Sequence, residues 1–473
     1  MTPGACLQAA IELLIEIETR RSPADDVVGG YFRRHRFAGV KDRGAISAHI
    51  FAVLRNRAAL DWWVTRLGGA PGRPRSLLLA ALVLVEEWKP NAIAAACDGD
   101  RFRPDPLERE ERQFIEILEG KSLTDPAMPE PVRLNFPEWL LPHLKAVFGN
   151  DFEREMAGLN TTAPLDLRVN ALKSDRISAK IALEREGVAA EETRYSPLGL
   201  RVFERVPLAT FDVFREGCIE VQDEGSQLAA LLLETRPGMR VVDFCAGAGG
   251  KTLALAAGMD NKGMIVACDI SAKRLERAAQ RLRRAGISIV QRRVLSTERD
   301  KWVKQHAGGF DRVFVDAPCT GTGTWRRNPD AKWRLTPQDL AELTELQARI
   351  LDSAARLVKP GGRLLYATCS VLREEDEDQV EQFIESHPDF FLVPVVQPWR
   401  AVTGRKLPCS GDMLRLTPAK HGTDGFFAAL LERRKPEPKA EAEVEPEAEP
   451  VSDMPDSDMP DSDMPVCDLE ETP

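Results

Sequence analysis

Residues 1 to about 130 repeat apolar positions at helical spacing. Leu7, Ile11, Leu14 and Ile15 form one such set, and Ile46, Ile50, Val53 and Leu54 another. The pattern predicts an all-helical region whose apolar stripes share a core. The longest apolar run, "SLLLAALVLVEEW" at 76–88, is shorter than the ~20 residues of a membrane span and reads as a buried helix. "KSLTDPAMPEPVRLNFPEW" then brings four prolines and reads as a linker. Beyond it, "LDLRVNAL" and "LRVFE" read as strands around the helix "SAKIALEREG", a small α+β unit over 131–217. From Cys218 the alternation is regular. Strands "MRVVDF", "MIVACDI", "FDRVFVDAP" and "GRLLYATCS" are separated by helices, and the longest helix runs from Thr336-Pro337 to just before Pro360-Gly361-Gly362. Continuous apolar strands alternating with helices predict a doubly wound α/β fold with a parallel sheet over 218–435.

Charge changes this picture mainly at the carboxyl end. Residues from Pro436 onward hold 14 acidic residues and one basic, so the chain's 64 basic and 74 acidic residues divide into a net −13 for 436–473 and a net +3 for the body. In the tail, "SDMPD" at 452–456 recurs at 457–461 and begins again at Ser462; low apolar content predicts disorder there. In the body, Arg33, Arg34, Arg36, Lys41, Arg43, Arg55 and Arg57 are interleaved with Tyr31, Phe32 and Phe37. Such a run is either a solvated helix face or an RNA-facing one. Nine scattered cysteines with no CxxC pair, and six unclustered histidines, argue against a metal site. An odd cysteine count, no signal segment and no membrane span point to a cytoplasmic protein, with monomer as the default state.

The chemistry is concentrated in "VVDFCAGAGGKT", 241–252. A P-loop would need glycine five residues before Gly250, where Cys245 stands, and the dinucleotide fingerprint from Gly247 would need glycine at Thr252. Two features remain: Asp243 followed by Gly247 and Gly249 at a strand-to-helix turn, and Asp269 ending the next strand. Glycines let a cofactor approach the backbone, and a carboxylate after the second strand can accept from ribose hydroxyls. S-adenosylmethionine, with a ribose and an amino-acid end but no phosphates, fits this arrangement; glycines placed only for tight packing would also give it.

Cys319 in "VDAPCTGTG" and Cys369 in "YATCS" fall just past two strand ends, the edge where open α/β sheets bind ligands. A single cysteine is more often a small buried hydrophobe. Two at equivalent strand ends, one preceded by Asp316-Ala317-Pro318, point to chemistry. Together, "DFCAGAGGKT", "DAPCTGTGTWRRNPDAKWR" and "YATCSVLREEDEDQVEQF" resemble the RsmB-like (Nol/Nop/Sun) RNA cytosine-C5 methyltransferases. "VQDEGSQLAA" and "DGFFAALLERR" resemble flanking segments of that family. "VKDRGAISAHIFAVLRNR" resembles the NusB-like region of its bacterial ribosomal RNA members.

The resemblance implies a NusB-like RNA-binding domain at 1–130, an RRM-like unit at 131–217, a Rossmann-like class I methyltransferase domain at 218–435 and an acidic tail at 436–473. It implies Cys369 as the nucleophile that adds to cytosine, Cys319 as the residue that helps resolve the adduct, and Asp316 as the group reading the base. Cys245, Ala246, Gly247, Ala248, Gly249, Gly250 and Lys251, with Asp269 and Asp316, would form the S-adenosylmethionine pocket. Arg326, Arg327, Lys332 and Arg334 would hold RNA phosphates. Ribosomal RNA is the expected substrate; the alternatives are the same chemistry on transfer RNA, or an RNA-binding assembly factor without catalysis. Two departures stand out. Gly247-Ala248 replace the Ala-Pro usual in the family's glycine loop. Arg292, Arg293 and Val294 occupy the end of the next strand, where relatives carry an acidic residue near adenine, so adenine recognition differs there.

Overall fold

A computed structural model describes residues 1–436 except 21, 70, 71 and 205; the acidic repeats therefore lie outside the described residues. The amino-terminal region is helical as the periodicity predicts, with seven helices between Pro3–Arg20 and Arg109–Leu118. Leu7, Leu14, Ile46, Ile50, Val53 and Leu54 are all in its core. Ile15 is not. It is 49% exposed, because the buried stripe of the first helix passes through Ala10, Leu13, Leu14 and Ile17 and residue 15 sits about 100° off it. The apolar run at 76–88 supplies the buried helix Pro74–Leu84, and no described helix is long and apolar enough to cross a membrane.

The proline-rich stretch is packed rather than loose. Met128 and Phe136 are buried, and Phe136, Leu144, Phe152 and Met156 share a core with Trp325, Val371 and Leu372 of the carboxyl-terminal unit. The small antiparallel sheet comprises β1 (Leu165–Val169), β2 (Glu191–Glu192), β3 (Gly199–Val202) and β4 (Ile219–Val221), in the order β2-β3-β1-β4. Its last strand lies beyond Gly217, so the α+β unit closes later than the sequence pattern suggested.

The large sheet contains β5 (Arg240–Asp243), β6 (Met264–Asp269), β7 (Val290–Val294), β8 (Phe310–Asp316), β9 (Val358–Thr368), β10 (Phe390–Val393) and β12 (Phe426–Arg433), with β11 (Leu414–Leu416) paired to β12. Its order is β10-β12-β9-β8-β5-β6-β7. The five strands from β9 to β7 are parallel, as the apolar runs of β5, β6, β8 and β9 imply; β7, at the edge, is polar and mostly exposed. β12, from the segment "GFFAALLER", enters antiparallel to both β9 and β10; strand direction leaves no periodic trace in sequence. Chain order reverses between β5 and β8, which puts a ligand crevice at the carboxyl ends of β5, β6, β8 and β9. Thr336 caps the Pro337–Ala355 helix in a capping box with Asp339, as its sequence signal predicts.

Candidate functional site

Each strand bordering the crevice delivers one chemical group. β5 ends in Asp243 and turns through Gly247 (φ +55°) and Gly249 (φ +81°) into the Gly250–Gly258 helix. Gly249 is doubly constrained: besides its positive φ, a Cβ there would lie 2.9 Å from Ala278 Cβ. A Cβ on Gly247 would meet nothing within 4 Å, so the loop faces open space. The cavity beside it, about 380 Å³, is lined by Asp243, Cys245–Ala248, Gly250, Lys251, Asp316, Cys369 and Phe426, among others. At the end of β6, Asp269 accepts from the backbone N–H of Gly247 (2.9 Å) and of Ser271 (2.7 Å). Asp243 is fully buried; its Oδ2 accepts from the Thr252 hydroxyl at 2.6 Å and its Oδ1 has no partner among the described residues. Burial pushes its carboxyl up to about 7, against the pull of that hydroxyl.

These features suit S-adenosylmethionine. Three carboxylates around one glycine turn repel phosphates and complement a cofactor bearing a sulfonium and an ammonium. At the end of β7, Val294 pairs in register with Asp269 and is exposed, as is Ile270. The nearby carboxylate of Asp300 is committed elsewhere: it accepts from the N–H groups of Ser296 and Trp302, which hold it at about 2. Val294 and Ile270 thus bring apolar side chains beside Asp269, with the exposed Arg293 next along β7.

Asp243 offers a test that separates its ionisation from the rest of the site. Its folded value lies above its unfolded value of 3.8, so ionising it costs stability as pH rises from about 4 to 7. In the cofactor-free protein, Asp243→Asn is expected to melt higher than wild type at pH 8. The difference should shrink steadily as pH falls from 7 towards 4, read from paired thermal melts. A difference independent of pH would place the ionisation elsewhere.

β8 and β9 bring the two cysteines together. Cys319 Sγ lies 3.4 Å from Cys369 Sγ. Donating to the Cys369 sulfur, together with burial, pushes the Cys319 thiol well above its usual range. Lys251 Nζ donates to Asp316 Oδ2 at 2.6 Å. Burial opposes its charge, but Asp316 outweighs burial and the ammonium is held above its ordinary value.

Two buried acids fix this geometry, and sequence reasoning missed both. Glu375 accepts from the backbone N–H and the hydroxyl of Thr320 and from Gln347 Nε2 (3.0 Å), while Gln347 also donates to Pro318 O (2.9 Å). Asp376 accepts from the Thr368 hydroxyl, next to Cys369. Within the acidic run "REEDED" they look like any solvated charge; only the tertiary fold buries them completely. Gly323 packs against Gly425 with no room for a side chain, since a Cβ on Gly323 would lie 2.2 Å from Gly425 O. Its N–H donates to Cys369 O at 2.9 Å.

Of the four cations expected to hold phosphates, Arg326 and Lys332 are buried, while Arg327, which lines the crevice, and Arg334 are half-buried and ion-paired. Lys332 is 1% exposed and donates to Asn135 O (3.0 Å) and Asn160 Oδ1 (2.6 Å); with Arg55 nearby, burial lowers its value well below that of a free lysine. Arg326 is buried and donates to Thr423 O. Arg327 spends its guanidinium on Asp424, Asp223 and Pro164 O. Arg334 pairs with Asp330 at 3.0 Å beside Ile17, Glu18 and Leu54 in another cavity. The segment also braces the fold: Trp333 Nε1 donates to Leu54 O and Arg55 donates to Arg326 O. These contacts tie the helical region to the catalytic sheet.

Comparison with known proteins agrees with this arrangement. The model of the family described as 16S rRNA methyltransferase RsmB/F matches residues 230–432. A model described as an RsmF/B-like ferredoxin-like domain matches 136–209. The chain is 30% identical over 450 residues to a Synechocystis sp. protein described as "Probable ribosomal RNA small subunit methyltransferase B", covering 90% of this chain and 99% of that protein. It is 31% identical over 411 residues to the ribosomal RNA small subunit methyltransferase B of Salmonella paratyphi B, covering 83% and 90%. The crystal structure of PH0851 superposes with a TM-score of 0.72 at 28% identity, over 92% of this chain and 99% of that one.

Proposed function

Since the chain belongs to the RsmB/F family of small-subunit ribosomal RNA methyltransferases, with S-adenosylmethionine as methyl donor, we propose that it methylates carbon 5 of a cytosine through a covalent adduct on Cys369. The observation that carries this reading is the pair of thiols 3.4 Å apart, of which Cys369 lines the crevice together with Lys251 and Asp316. Carbon 5 of cytosine is too weak a nucleophile to take a methyl group unaided. Addition of the Cys369 thiolate to carbon 6 turns the ring into an enamine whose electron pair is available at carbon 5. The Lys251 ammonium supplies positive potential that favours the thiolate. Asp316 accepts from the 4-amino group and orients the ring. The base reaches this crevice only by leaving its stack.

When bound beside the 245–251 loop, S-adenosylmethionine would supply an electrophilic methyl carbon for carbon 5. After methylation, carbon 5 carries both the new methyl group and its original hydrogen. That proton is released to water, its bonding pair re-forms the C5–C6 double bond, and the Cys369 sulfur leaves with its electrons. Cys319, its sulfur 3.4 Å from that of Cys369 and held as a thiol, donates a hydrogen bond to the departing sulfur.

The chemistry is read directly from tritium at carbon 5. With 16S ribosomal RNA transcribed from [5-³H]cytidine triphosphate, one tritium is expected in water for each methyl group transferred. Methyl incorporation without tritium release would assign the acceptor to another atom and refute the proposal.

A further inference from the structure

With Arg326 and Lys332 buried and Arg327 and Arg334 committed to Asp424, Asp223 and Asp330, the RNA needs further cations on its route to the crevice. We propose that one flank of the Ala272–Ala285 helix, bearing Lys273, Arg274, Arg277, Arg281 and Arg284, is the track on which the RNA phosphodiester backbone lies as it approaches Cys369. The inference rests on the RNA reading above and adds where the strand runs.

The helix buries Leu275, Ala278, Leu282 and Ala285. At 100° per residue the five cations fall within about 100° of one another on one side of that buried stripe. The flank joins the active crevice directly: Arg281 lines the cavity and donates to Ala248 O of the glycine loop at 2.9 Å. From residue 273 to 284 the stripe is roughly 16 Å long, enough to follow several phosphates.

Three features set it apart from an ordinary solvated face. First, Lys273 and Arg274 occupy the first turn, where the helix dipole favours acids; that turn contains none. Second, Lys273, Arg274 and Arg277 are exposed, and among the described residues none has a carboxylate within 4 Å. Third, positive charge is in excess where the stripe meets the crevice. Arg281 and Arg284 share the single carboxylate of Glu220, at 3.3 and 2.5 Å. Arg168, directly opposite Glu220 across β1 and β4, is buried, and its Nε has no partner among the described residues; burial pulls its guanidinium down to about 10. Three guanidiniums around one carboxylate leave the corner short of negative charge, which a phosphodiester supplies.

The test uses the full-length Lys273→Glu/Arg274→Glu/Arg277→Glu variant and its neutral counterpart, Lys273→Gln/Arg274→Gln/Arg277→Gln. Binding to a fluorescein-labelled 16S ribosomal RNA transcript is followed by anisotropy across a salt series, and S-adenosylmethionine binding by calorimetry. The charge-reversed protein is expected to lose about tenfold or more in RNA affinity at low salt. Its slope of log affinity against log salt should be shallower by about 2, as loss of three phosphate contacts requires. The neutral variant should shift the same way by less, with cofactor affinity unchanged in both. RNA affinity and slope equal to wild type would overturn the proposal while leaving carbon 5 methylation standing. So would a loss confined to cofactor affinity, since the stripe would then serve the cofactor's own carboxylate. Wild-type protein that neither binds the transcript nor releases tritium from it would remove the RNA reading and this inference together.

Discussion

Cys369→Ala is expected to lose methyl transfer by about 10⁴- to 10⁶-fold, the scale seen when the nucleophile of a covalent mechanism is removed, while S-adenosylmethionine binding stays near wild type. The side chain sits at the end of β9, partly buried against the core packed by Leu365, Ala367 and Phe426, and it is the backbone carbonyl of Cys369, not its sulfur, that ties this loop to Gly323. Removing the sulfur therefore leaves the local fold anchored. Calorimetric titration of the cofactor and a single-turnover assay on the same preparation check both halves. Turnover within tenfold of wild type would eliminate Cys369 as nucleophile.

Cys319→Ala has a different expected outcome: the adduct forms and then persists. Addition to carbon 6 needs Cys369, Lys251 and Asp316, all of which remain. Departure of the sulfur loses the hydrogen bond now made across 3.4 Å. Turnover should fall by about 10²- to 10⁴-fold, the range for loss of a positioned proton donor. A protein–RNA band resistant to denaturation should accumulate, and the Cys319→Ala/Cys369→Ala double variant should show none. A Cys319→Ala protein that turns over normally would leave the second thiol without a role in resolving the adduct.

Much of this site could be read from sequence because its residues lie at strand ends, and strand ends are marked by abrupt changes from apolar runs to glycine, proline and acid. Asp243, Asp269, Asp316, Cys319 and Cys369 were all located that way. What escaped was whatever depends on contacts between distant segments. Lys332 looks like a loop cation until Asn135 and Asn160, nearly 200 residues away, are seen to enclose it. Glu375 and Asp376 look solvated until Thr320, Gln347 and Thr368 converge on them. The antiparallel entry of β12 and the closure of the small sheet by Ile219–Val221 escaped for the same reason, because pairing partners and strand direction are properties of the assembled fold.

The central claim is a bond between Cys369 and carbon 6 of cytosine. The most direct measurement is mass spectrometry of the species trapped by Cys319→Ala on 16S ribosomal RNA with S-adenosylmethionine, after nuclease and protease digestion. The account predicts a methylated cytidine nucleotide attached to the peptide containing Cys369. The same nucleotide on any other cysteine, or no nucleotide-bearing peptide from protein that nevertheless methylates this RNA, would contradict it.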